Sequence, residues 1–300
     1  MPIRKKTRLW TSIGAAALLA GGVSACGDSG ENAAPAEPAA TETPADAAPA
    51  QDTAPAEAET SSVVGEGEGE GEGEGEGGSG GEFGIDPQAA ATDPVVFLTA
   101  IDVMRAHYYA AIDALEAGDR GATAELLAHP ISEIYLDFEP VLQEAGGPDM
   151  YETLNGAAML HFDGAEDAEI RTAIDDILAQ LDEAAAVAPE GEATQAAVEG
   201  EILGDLIERA ALQYQLALNS AEDSHAYLDG YGLFKAAEKR GETALPAIES
   251  ADAEALTTFE SALSLLGQAY PNGQRPDTPP VPAADVMSAS DAATDAAASL

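Results

Sequence analysis

Basic residues are scarce in this 300-residue chain: 12 Lys and Arg stand against 55 Asp and Glu, a formal charge of −43 at pH 7. Four of the 12 (Arg4, Lys5, Lys6 and Arg8) crowd the first eight positions, so 8 bases face all 55 acids over the rest. Such a polyanion repels phosphate backbones, which excludes nucleic acid as a partner. Cysteine occurs once, at Cys26, which excludes a disulfide framework and a thiolate zinc cluster. Aromatic residues make up 5% of the chain, too few to line a large apolar ligand cavity. Also missing are a Gly-rich phosphate loop, a serine nucleophile elbow, HExxH and CxxC. Nothing reads as a strand, so dinucleotide-binding folds are excluded as well. These absences point to a binding protein rather than an enzyme.

What is present begins with an address. The basic start is followed by an apolar run over residues 9–23, interrupted by Gly14, Gly21 and Gly22, and then by Ser24, Ala25 and Cys26. A basic head, a short apolar run and small residues before a cut describe a secretory signal over residues 1–25, too short and broken for a transmembrane span. Val23-Ser24-Ala25-Cys26 resembles the bacterial lipobox, in which cleavage leaves a diacylglyceryl-bearing cysteine as the new N-terminus. That resemblance makes Cys26 a lipid anchor, each buried CH₂ adding roughly 0.8 kcal/mol to membrane affinity. Gly27 in the second mature position implies the outer membrane, with the protein facing the periplasm.

Residues 26–92 collapse to Ala, Pro, Glu, Thr, Gly and Asp, and residues 65–76 are six consecutive Gly-Glu pairs. Their period of two matches a strand, yet neither residue supplies an apolar face. Glycine entropy and glutamate repulsion instead predict a disordered, charge-extended tether.

From 93 to 270 the pattern is helical. Asp93-Pro94 reads as an N-cap with proline at the first helical position, opening a helix with an apolar stripe of Phe97, Ile101, Met104, Tyr108 and Ala111 that ends at Gly118. A second arm is predicted to break at His129-Pro130 and resume with Ile134, Phe138 and Val141. A short helix over 148–160 follows. Asp163 and Glu166 read as a capping box for a helix carrying Ile170, Ile174, Ile177 and Leu181. Three further helices are predicted over 192–218, 223–244 and 252–270, after which Pro271 and an Ala/Pro-rich stretch read as a disordered tail, 271–300. About seven helices with short connections predict an all-α, up-and-down bundle.

The candidate site rests on four histidines, His107, His129, His161 and His225. His107 and His129 lie equally far from Gly118. In an antiparallel hairpin each would sit roughly 16 Å from the turn and could face the other. Glu133 follows His129 by about one helical turn. Two imidazoles and a carboxylate, with Tyr108 or Tyr135 near them, suit a transition metal such as Fe, Zn or Cu. His225, with Tyr214 and Asp229, forms a second candidate pocket. His161, at a helix end, reads as a dipole partner instead.

His107 followed by His129-Pro-Ile-Ser-Glu133-Ile-Tyr135 resembles an element of exported proteobacterial helical proteins. The domain is also similar to imelysin-like periplasmic bundles of iron-uptake systems, whose motif is Gly-x-His-x-x-Glu. Here Leu127 stands two residues before His129, and Glu133 four after it. The resemblance implies envelope iron handling and, in that family, a peptidase label. Two readings follow: a lipid-anchored envelope protein that captures a transition metal, or a structural module whose helix faces dock another envelope protein.

Overall fold

A computed structural model describes residues 85–219 and 225–300. The expected signal segment, Cys26 and the expected tether as far as residue 84 lie outside the described residues. Among those described there is no strand, and the architecture is an all-α bundle.

Aspartates open several of its helices. Asp86 accepts from the Gln88 and Ala89 amides at 2.9 and 3.3 Å and starts α1, Pro87–Ala90. Asp93 accepts from the Val95 amide at 2.9 Å and starts α2, Pro94–Glu116, again with proline where no N–H is needed. Asp119 starts α3, Arg120–Pro130, just beyond Gly118, whose φ of 76° makes the reversal. The helices that follow are α4 (Leu136–Glu144), α5 (Tyr151–Met159), α6 (Asp167–Ala185), α7 (Gln195–Asn219), α8 (His225–Ala251), α9 (Ala253–Ala269) and α10 (Ala283–Ala297).

Helix α2 is the core of the bundle, packed against α3, α6, α7 and α8. Its expected stripe of Phe97, Ile101, Met104, Tyr108 and Ala111 is fully buried. It is long and apolar enough to cross a membrane by composition, but 72% of its most apolar window is covered by the protein itself. Helix α8 approaches α2 at Gly232, where a Cβ would come within 2.5 Å of the Ala106 carbonyl oxygen. The few basic residues tie the helices together. Asp102, 4% exposed on α2, accepts from Arg105 at 2.7 Å and from Arg240 of α8 at 2.6 Å. Arg240 also reaches Glu199 of α7 at 3.3 Å, and Arg105 reaches Asp182 of α6 at 2.6 Å.

Four expectations are corrected. The second arm does not break at Pro130: α3 passes through a π-helical turn, Ile131–Tyr135, directly into α4. Proline lacks the N–H that would return to Leu126, and the wider turn absorbs this without ending the helix. The capping box lies three residues on, where the Glu166 amide donates to the Glu169 carboxylate at 2.9 Å. The folded region starts before residue 93, because α1 packs against α2 and α4 and Ala90 is fully buried. Nor does it end at Tyr270, since residues 271–300 are no disordered tail. Helix α10 packs on α7 and α9, and small residues let it in: a Cβ on Gly204 would lie 3.3 Å from that of Ala297. Val281, before α10, accepts from the Tyr214 hydroxyl at 2.8 Å.

Candidate metal centre

Three elements converge on one cluster. His107 comes from the middle of α2, His129 from the last turn of α3, and Glu133 from the π-helical turn. The hairpin reversal at Gly118 brings the two imidazoles together, their ring centroids 5.9 Å apart and their planes at 75°. One nitrogen or oxygen from each of His107, His129 and Glu133 lies within 4.8 Å of the other two.

His107 is 2% exposed. Its Nδ1 lies 3.0 Å from the Val103 carbonyl oxygen. A carbonyl can only accept, so Nδ1 carries the proton and Nε2 carries the electron pair in the neutral ring. Burial pushes the pKa down to about 4, against the pull of the Val103 carbonyl, and the neighbouring His129 lowers it further. The ring is therefore neutral at pH 7, with its electron-pair nitrogen fixed by a backbone partner, an arrangement also used to orient metal-bound histidines.

The His107 Nε2 stands 3.9 Å from Glu133 Oε2, and His129 Nδ1 stands 3.7 Å from Glu133 Oε1. These separations are too long for hydrogen bonds. They are close to the edge of a coordination tetrahedron, about 3.3 Å for metal–ligand bonds of about 2.0–2.1 Å. The three donor atoms span up to 4.8 Å, so a contraction of as much as about 1.5 Å would place all three on one ion. Because π-helical turns recur at functional sites, the position of Glu133 within one is consistent with such a use.

The tyrosines expected nearby are not offered as ligands. The Tyr135 hydroxyl accepts from the Met150 amide at 2.8 Å, and burial raises its pKa. Burial also holds the Tyr108 phenol strongly protonated. In the second candidate pocket the members engage several neighbours. The Tyr214 hydroxyl is committed to Val281, and its ring packs on Tyr227 and Tyr270. Asp229 is 6% exposed, and the Tyr270 pKa is raised first of all by burial, then by the neighbouring Tyr227 and Tyr214, with Asp229 adding to them. His225 turns instead to Glu125 of α3, with Nδ1 in contact with Oε1. His161 packs edge-on against Phe162, ring centroids 5.5 Å apart.

Glu125 is the residue that sequence reasoning missed. Its Oε1 lies 3.6 Å from His129 Nε2. The signal was legible: Glu125, His129 and Glu133 recur every four residues, and such steps drift only about 40° each around a helix. The wider π-helical turn reduces the last step. No protein-family model matches the chain, and neither does any curated protein or solved structure.

Proposed function

We propose that this protein is a lipid-anchored binding protein of the cell envelope that captures a transition-metal ion through His107, His129 and Glu133. The observation that carries this reading is the His107–Glu133 pair. A neutral imidazole whose proton is held by Val103 places its electron-pair nitrogen 3.9 Å from a carboxylate oxygen. Two electron-pair donors at that separation are stabilised by a cation between them. Nitrogen and carboxylate donors without thiolate suit Fe, Zn or Cu, and the imelysin-like resemblance of the His129 element favours iron. A chain of charge −43 also concentrates cations near its surface. The lipobox resemblance at Cys26 supplies the anchor, with Gly27 favouring the outer membrane.

Among the described residues a docking module is supported by a few exposed apolar side chains, with Phe162 at 74% and Leu136 at 49%. Exposed apolar residues of this kind are ordinary on a folded surface. The test is equilibrium titration of the metal-free protein with Fe²⁺, Zn²⁺ and Cu²⁺. Saturable binding of one ion that is lost in His129→Ala, with helix content unchanged, is expected. Undiminished binding in that variant would overturn the site.

A further inference from the structure

The site has a second side. His129 lies between two carboxylates of its own helical arm, with Nδ1 3.7 Å from Glu133 and Nε2 3.6 Å from Glu125. Across Glu125 stands His225, the first residue of α8. The donor set therefore occurs twice: His107, Glu133 and His129 Nδ1 on the inner side, and His225, Glu125 and His129 Nε2 on the outer side. Side-chain exposure rises steadily along this line, from 2% for His107 through 21% for Glu133, 23% for His129 and 31% for Glu125 to 57% for His225.

We propose that Glu125, His225 and the Nε2 of His129 form an outer metal position, through which an ion enters and leaves the inner one. This inference rests on the reading of the inner site given above. The outer donors meet incoming ions first because they are the exposed ones. Glu125 is held in place by His225, so the pair is assembled before the ion arrives. A neutral imidazole offers a single electron pair, so His129 serves the two positions in turn. While the ion is outside, on Nε2, the ring proton sits on Nδ1. When the ion moves inside, Nδ1 releases that proton to water and Nε2 takes one up, leaving the ring neutral throughout. The protein holds one ion at a time, and the outer position governs how fast it moves.

The test uses the whole chain with Zn²⁺ and Co²⁺ as probes, measuring stoichiometry, affinity and the rates of uptake and chelator-driven release. His225 is exposed, so His225→Ala should fold normally. In that variant, uptake and release should both slow by about tenfold or more, with affinity changed less than about threefold, as expected when a route is lost but not a destination. Glu133→Gln, which weakens the inner position, should keep residual binding that disappears in Glu133→Gln/His225→Ala. Unchanged rates in His225→Ala, or equal residual binding in the single and double variants, would overturn the outer position while leaving the inner one standing. Two ions bound simultaneously would overturn the alternation. A wild-type chain that binds neither probe would overturn the inner reading itself.

Discussion

His107 shows most plainly what a single residue contributes. Without metal it is a buried, neutral imidazole, its pKa near 4 against an ordinary 6.5. Above pH 6.5 both folded and unfolded chains leave it unprotonated, and its contribution to stability is complete. As the pH falls from 6.5 towards 4, the unfolded chain takes up a proton that the folded chain refuses, so stability is lost across that window. The loss amounts to about 3 kcal/mol and levels off below pH 4. Urea unfolding of the metal-free protein between pH 4 and 7 should therefore show a slope that His107→Leu lacks. Parallel profiles for the two proteins would show that burial does not hold the ring neutral. At the same scale, Glu133→Gln removes a charged ligand and should weaken transition-metal binding by roughly a hundredfold, measured by competition with a chelator. The pairing of His107 with His129 was legible because both are equidistant from Gly118. The Val103 contact was not, since it depends on side-chain rotation rather than spacing. His225 was legible as a candidate but not in its partners, because only the tertiary packing of α8 places it over α3.

At the scale of elements, the arm formed by α3, the π-helical turn and α4 delivers three of the five clustered side chains. Its continuity was hidden in the sequence, where Pro130 argues locally for a break. Packing of Leu126, Leu127, Ile134 and Phe138 into the core overrides that preference. Helix α10 was hidden for another reason: its Ala- and Ser-rich surface carries little apolar signal, and its docking depends on the absence of side chains at Gly200 and Gly204 of α7. The other helices were read nearly to their ends, because aspartate caps and apolar stripes agree there, except that α8 runs on through Pro246 to Ala251, past the expected end at 244. Close approach also makes α8 sensitive. Gly232→Ala would press a methyl group against the Ala106 carbonyl of α2 and should destabilise the fold by about 1–3 kcal/mol. Gly156→Ala, on an exposed face of α5 with nothing within 4 Å, should stabilise it by up to about 1 kcal/mol. Chemical denaturation of both variants checks the pair, and equal effects would contradict this account of α2–α8 packing.

On the scale of the whole molecule, charge dominates. The basic residues of the fold are largely engaged in ion pairs, several of them buried, and the excess of 55 acids over 12 bases is left to repel itself. Raising NaCl from about 0.02 to about 0.3 M should therefore increase Tm, because screening relieves that repulsion. A fall in Tm over that range would contradict it. The same surface gathers any divalent ion weakly, so specific binding has to be separated from screening. The most direct measurement is thermal unfolding of the whole chain at moderate salt, with and without Fe²⁺, Zn²⁺, Cu²⁺, Ca²⁺ and Mg²⁺, for wild type and His129→Ala. A metal centre predicts a saturable rise in Tm of roughly 5–10 °C at about a hundred times Kd, for transition metals only and absent from the variant. Small, equal shifts for every ion in both proteins would contradict the centre and leave only a screened polyanion.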